Sequence, residues 1–202
     1  MYLDQNNIWF TSDTHFNDVH ICEGEVKPGV TPKKITRNFQ NIDSMNTKII
    51  DNINSLVKEN DILFHLGDFS LTRTDKIKQF RDRILCKNVH LILGNHDRDI
   101  SLNIDKLQLI FSSVNNYLEL QLKFQLFILS HYPISSWNGL NRGSIHLHGH
   151  VHLSIDEKMG VGKKMDIGMD GNGLMPYSIN DIIKLMELRP IKSDIDKDYH
   201  LE

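Results

Sequence analysis

Apolar residues along this chain gather into short runs that end in polar tips, and between the early runs they recur at helical spacing. Asn7–Asp13 (NIWFTSD), Asn60–Asp68 (NDILFHLGD) and Asn88–Asp97 (NVHLILGNHD) are nearly continuous apolar runs, the pattern of parallel strands buried on both faces. Between the first two, Ile42, Met45, Ile49, Ile53, Leu56 and Val57 form one stripe and predict an amphipathic helix over Asp43–Glu59. Asp75–Leu85 predicts a second, with Ile77, Phe80, Ile84 and Leu85 inward. Strands alternating with helices predict a parallel βαβ core. The stretch from Asp18 to Gln40, with Pro28, Gly29 and Pro32, has weak periodicity and reads as a long loop or a loop holding a short helix.

The second half changes character. QLIFSS (Gln108–Ser113), NYLELQL (Asn116–Leu122), FQLFILSHYP (Phe124–Pro133), GSIHLHGHVH (Gly143–His152) and KKMDIGMD (Lys163–Asp170) are strand-like, with little helix between them, and predict a second or mixed sheet. Ser178 followed by Asp181 is a capping pattern before Ile182, Ile183, Leu185 and Met186, so a last helix is predicted over Ile179–Glu187, stopped by Pro190. Neither a repeat nor a linker interrupts the chain. One domain is expected over residues 1–191, followed by a polar tail over 192–202.

Composition narrows the class. The 202 residues are 40% hydrophobic and 24% charged, which suits one soluble domain with a real core. A net charge of −3 offers no global basic field, so long nucleic acid is not expected as a partner. A small nucleotide or a short strand end stays open, because bound metal adds local positive charge. Cys22 and Cys86 have no metal or redox spacing and read as free thiols in a reducing compartment. The sequence has no run of about 18 apolar residues, so no membrane span is expected. The N-terminal residues do not read as a signal peptide, and a cytoplasmic location is the default expectation.

Eleven histidines are many for this length, and several close apolar runs beside glycine or aspartate. Five clusters stand out: Asp13 and His15 in SDTHF; Asp68 in LGDF; Asn95, His96 and Asp97 in GNHD; His131 in LSHYP; and His148, His150 and His152 in HGHVH. In a strand, residues i and i+2 point the same way, so Asp13 and His15 can face one site, and so can His150 and His152. Imidazole with carboxylate suits Zn, Mn, Fe or Co. Asp68, with room beside it from Gly67, could give one oxygen to each of two metals, and Asn95 would add a neutral oxygen. Taken singly, each cluster has an ordinary structural explanation: a turn, a cap, a satisfied histidine or a surface metal patch. Their order, each closing an apolar run, is what points to one dinuclear centre.

These motifs resemble those of the calcineurin-like metallophosphoesterases, D-x-H, G-D, G-N-H-D/E, H and G-H-x-H, over about residues 8 to 155. SDTHF, Arg37-Asn38-Phe39, Met45-Asn46 and HLHGHVH are most similar to the small bacterial and phage-type branch. The resemblance implies an α/β fold, a four-layer α/β/β/α sandwich of two mixed sheets flanked by helices. It implies one divalent metal on Asp13, His15, Asp68 and His152 and another on Asp68, Asn95, His131 and His150. The metal would be Mn, Fe, Zn, Co or Ni, with Mn favoured. It further implies attack by a metal-bridging hydroxide, with His96 protonating the leaving group or stabilising the transition state. Asp97 would hold the His96 ring, unless it is a plain turn residue.

Substrate contacts follow less directly. Arg37 matches an arginine whose guanidinium suits a phosphate oxygen pair, although Asn38 stands where the branch has proline. His20 is a candidate because Asp18 occupies a position where relatives carry histidine. Arg142, in the WNGLNRG loop, is a third candidate. Tyr132 or Trp137 could stack on a base, and His148 is expected to support the site without ligating. The small chain has no evident cap domain, which favours an open cleft and a small phosphodiester, such as a cyclic nucleotide or a short nucleotide-containing substrate. The alternatives are a phosphomonoesterase, a protein phosphatase, a nuclease on short nucleic acid, for which TPKKITR (Thr31–Arg37) is the one basic hint, and a non-catalytic scaffold. Oligomeric state, monomer or dimer, is not legible.

Overall fold

The computed structural model describes residues 7–22, 37–103, 105, 109–156 and 158–192. Most of the proline-containing loop, including residues 31–36 of the basic hint, and the tail beyond 192 lie outside the described residues. Five strands form the first sheet: β1 (Ile8–Thr11), β2 (Ile62–His65), β3 (Asn88–Ile92), β4 (Ser113–Asn115) and β9 (Tyr177–Ser178), in the order β4-β3-β2-β1-β9. The first four are mutually parallel and β9 is antiparallel. The second sheet runs β5-β6-β7-β8, from β5 (Tyr117–Leu122), β6 (Gln125–Ser130), β7 (Ile145–His148) and β8 (Lys164–Asp166). Its first pair is antiparallel and the others parallel.

Alternation along each strand sorts the core into layers. Ile8, Phe10, Phe64 and Ile92 turn toward Phe127, Leu129, Ile145, Leu147 and Met165 of the second sheet. Phe10 stacks on Phe64 at 5.4 Å and on Phe127 at 5.8 Å, tying the sheets together. Leu63, Val89 and Leu91 turn the other way, onto α2 (Ile42–Leu56) and α3 (Thr74–Arg83) through Met45, Ile49, Ile53 and Ile77. Over the outward face of the second sheet, Trp137 and Leu140 pack on Ile128. The result is an α/β sandwich of two mixed sheets flanked by helices.

Helices bounded among the described residues also include α1 (Val19–Cys22), α4 (Arg98–Leu102) and α5 (Ile179–Glu187). Ser178 caps α5 by accepting from the Asp181 N–H. Two expectations change. Leu85 is 62% exposed rather than inward, because α3 ends at Arg83 and the extended Ile84 breaks the helical phase. Among the described residues of QLIFSS, 109–113, only Ser113 enters a strand. Trp137 is a core residue, its indole N–H donating to Ser144 Oγ at 3.0 Å. Among the described residues no helix is long and apolar enough to cross a membrane.

Three buried histidines stitch the framework. His65 Nδ1 accepts from the Gly67 N–H at 3.2 Å, its Nε2 lies 2.9 Å from Thr14 Oγ1, and that hydroxyl donates to the Phe69 carbonyl. His146 accepts from the Ile134 N–H through Nε2 and reaches the Ile128 carbonyl through Nδ1. His148 Nδ1 contacts the Gly149 carbonyl, and its ring lies 5.4 Å from that of His146. Burial pushes His65 and His146 down to about 3 and His148 to about 4. Their stabilising effect is therefore whole above the ordinary histidine value and lost as pH falls from there toward 3–4, because only the unfolded chain protonates in that window. Each group contributes a slope of about 1.4 kcal/mol per pH unit. Burial lifts Asp166 to about 6, which opposes the slope of one histidine below that pH. Thermal unfolding of chelator-treated protein from pH 7 to 5 is expected to show falling stability, with a shallower slope in His146→Asn.

Candidate metal centre

The polar tips of β1, β2, β3, β6 and β7 converge at one end of the sandwich. Beyond β1 and β2 the chains run side by side: the N–H groups of Asp13 and His15 donate to the carbonyls of Gly67 and Asp68 at 2.9 and 3.0 Å. The close packing requires the motif glycines. Gly67 has φ +97°, and a Cβ there would meet the Gly94 nitrogen at 2.7 Å; a Cβ on Gly94 would strike the Asp68 carboxylate.

Two clusters result. Ligand atoms of Asp13, His15 and His152 lie within 4.8 Å of one another, as do those of Asp68, His131 and His150. Asp68 joins them through one oxygen rather than one to each cluster: its Oδ2 is 3.4 Å from both His15 Nε2 and His131 Nε2, while Oδ1 accepts the His96 N–H. Asn95 Oδ1 closes the second cluster, 3.1 Å from His131 Nε2 and 2.9 Å from His150 Nδ1. All seven side chains expected as ligands are thus brought together, but not by strand alternation. The strands stop at Thr11, His65 and His148. Asp13, His15, Asp68, His150 and His152 lie beyond them in the left-handed region, with φ between +48° and +73°. Such a backbone costs on the order of 1–2 kcal/mol at each non-glycine residue and is held only where surrounding contacts over-determine it. His150 and His152 consequently face different clusters, not one site.

Each inward ring is oriented from behind. His15 Nδ1 donates to Asp18 Oδ2 at 3.0 Å, His152 Nδ1 to Asp170 Oδ2 at 2.8 Å, and His131 Nδ1 to the Leu66 carbonyl at 2.8 Å. This is how metal-ligating imidazoles are held. The buried His15 Nε2 has no hydrogen-bond partner, and a buried ring nitrogen aimed at carboxylates and left unpaired fits a cation between them. Burial opposes charge on His15, but Asp18, Asp68 and Asp13 outweigh it and raise the group to about 9. Burial likewise pushes Asp68 up, yet His131, His15 and the His96 N–H hold it well below the usual carboxylate range.

The remaining site expectations fare differently. His96 is exposed at the mouth; its N–H donates to Asp68 Oδ1 at 2.8 Å, and its ring lies 5.2 Å from the His15 ring. Asp97 does not hold that ring. Its buried carboxylate accepts the N–H groups of Asp68, Phe69 and Gly94 at 2.8, 2.9 and 2.8 Å. Arg37 does not reach a substrate position. It is 1% exposed, donates through Nε and Nη2 to Asp170 at 2.9 Å each, and caps the carbonyls of Thr14 and Asp13. The His20 side chain is exposed, and its backbone N–H donates to Asp18 Oδ1. Arg142 is exposed on a 3-10 turn, donating to Asn138 at 3.3 Å. Asp18 and Asp170 are the functional residues missed from sequence. Asp18 had a signal, three residues after His15 where a histidine was looked for; Asp170, remote in sequence from both its partners, had none.

Paired His–Asp clusters at the carboxyl ends of parallel strands define a candidate dinuclear metal centre of the kind that hydrolyses phosphoric esters. Residues 7–187 match the family model described as calcineurin-like phosphoesterase, and the chain belongs to that family as a metal-dependent hydrolase of the phosphoesterase superfamily. An uncharacterized protein of Methanocaldococcus jannaschii is 30% identical over 191 residues, 92% of this chain and 94% of its own. The gene 66 protein of Mycobacterium phage D29 is 24% identical over 218 residues, 95% of this chain and 98% of its own. The crystal structure of a protein of unknown function from Aquifex aeolicus has the same fold, with a TM-score of 0.63 at 24% identity, covering 88% of this chain and 98% of that one.

Proposed function

We propose that the protein is a dinuclear metal-dependent phosphodiesterase that hydrolyses a small phosphodiester, such as a cyclic nucleotide or a short nucleotide-containing substrate. The observation that carries the reading is Asp68 Oδ2, equidistant at 3.4 Å from one ring nitrogen of each cluster. Asp13, His15, Asp68 and His152 would hold one ion, and Asp68, Asn95, His131 and His150 the other, with manganese favoured. When bound, the metals supply an activated water and charge neutralisation at the phosphoryl oxygens.

The chain's own residues do the rest. The His96 N–H engages Asp68 Oδ1, so that Oδ2 would be the oxygen shared between the two ions. His96, exposed beside the clusters, would give a proton to the leaving oxygen. Preference for a diester is supported by Arg37. A monoester dianion asks for an extra cation, and this guanidinium is spent on Asp170 inside the protein. Tyr132, 48% exposed with its ring 4.8 Å from the His150 ring, offers an aromatic wall to a nucleoside.

The test is an activity panel on manganese-reconstituted protein: a generic phosphodiester, a phosphomonoester, 2',3'- and 3',5'-cyclic nucleotides, and short single strands. Diester kcat/KM is expected to exceed monoester kcat/KM at least about tenfold, or ~1.4 kcal/mol of transition-state binding. Monoester preference would overturn the diester assignment, cleavage of strands alone would make the protein a nuclease, and metal binding without any turnover would make it a scaffold.

A further inference from the structure

The acids behind the two clusters are distributed unevenly. Both rings of the Asp13–His15–His152 cluster are backed by carboxylates, Asp18 on His15 and Asp170 on His152. In the other cluster His131 is backed by the neutral Leu66 carbonyl, while the exposed His150 turns its Nδ1 toward Asn95. Asp13 belongs to the first cluster alone, whereas Asp68 faces both. The two clusters differ in burial at their outer histidine alone, His152 being half-buried where His150 is exposed. A carboxylate behind an imidazole fixes its tautomer and raises the basicity of the nitrogen that faces the ion. Added negative charge draws a cation more strongly where water is excluded.

Arg37 makes this arrangement rigid. Its guanidinium grips both oxygens of Asp170 and, from the same plane, the carbonyls of Asp13 and Thr14. One buried side chain therefore sets the Asp13 turn and, through Asp170, the His152 ring relative to each other.

We infer that Asp18, Asp170 and Arg37 are positioning residues that make the Asp13–His15–His152 cluster the tighter of the two metal sites, so that it fills first while the Asp68–His131–His150 site exchanges its ion. This rests on the reading of the centre as dinuclear. The experiment is calorimetric titration of Mn²⁺ into the chelator-stripped full chain, followed in parallel by electron paramagnetic resonance. Wild type is expected to show two affinity classes, with the spin-coupled pair signal appearing only after the first equivalent. His150→Ala is expected to keep the tight class and lose the weak one. Asp18→Asn is expected to weaken the tight class about 10–100-fold and leave the weak class unchanged. Asp170→Asn should act on the tight class in the same way. Because that change leaves the buried Arg37 unpaired and could unfold the chain, Asp18→Asn, which leaves the ion pair intact, decides. One indistinguishable class in wild type, a tight class untouched by Asp18→Asn, or its loss in His150→Ala overturns the inference. Absence of metal uptake by wild type overturns the dinuclear reading itself, before any variant is made.

Discussion

Asp68→Asn is expected to lower kcat on the order of 10³-fold and to cut metal content from two ions per chain to one or fewer, as read by steady-state kinetics and elemental analysis. The substitution keeps an oxygen that can accept the His96 N–H, now 2.8 Å from Asp68 Oδ1. What it removes is the charge between the clusters. An amide NH₂ would stand where Oδ2 lies 3.4 Å from both His15 Nε2 and His131 Nε2, and those are the nitrogens that must offer lone pairs. Both sheets and their apolar core keep their packing, so the loss should be one of metal and rate rather than of secondary structure. Turnover near the wild-type value would sink the bridging role.

The residues that carry chemistry were legible because their types are unusual at the ends of apolar runs. Asp13, His15, Asp68, Asn95, His131, His150 and His152 each close such a run, and topology alone brings parallel strand ends together. How they converge was not legible. Left-handed φ at Asp13, His15, Asp68, His150 and His152 arises beyond the strand ends, where hydrophobic periodicity no longer reports the backbone. The orienting partners were hidden for a different reason. Arg37 and Asp170 are separated by 133 positions, so nothing local couples them. A buried arginine also has the same letter as one that clamps phosphate. Helix α2 was readable from its stripe because periodicity reports burial directly, whereas β9, with two residues, is too short to show a period.

Adjacency to His96 suggests a ring-holding role for Asp97, but its carboxylate is engaged by three backbone N–H groups instead. Its neighbour His96 is exposed with its ring beside that of His15, but Asp97 sits at the cap of α4 with its carboxylate directed back under the Asp68 and Gly94 turns. Burial pushes the carboxyl up, opposed by the N–H donors of Gly94, Phe69 and Asp68. Asp97→Ala would leave three N–H groups without acceptors, those of Asp68 and Phe69 buried and that of Gly94 part-buried, at about 1–3 kcal/mol each before relaxation. A total on the order of 3–6 kcal/mol corresponds to a Tm lowered by roughly 10–20 °C for a domain of this size. Because those N–H groups belong to the turns that aim Asp68 and Asn95, activity should fall with stability. His96→Asn should behave in the opposite way. Its exposed side chain supports nothing in the fold, so stability should stay within about 0.5 kcal/mol. Loss of a proton donor should still lower kcat by about 10²–10⁴-fold. Calorimetry and kinetics on the two variants therefore separate the roles of adjacent motif residues. An Asp97→Ala protein that melts like wild type yet has the kinetic defect of His96→Asn would restore the carboxylate to the histidine and refute its role as the clamp beneath the two turns.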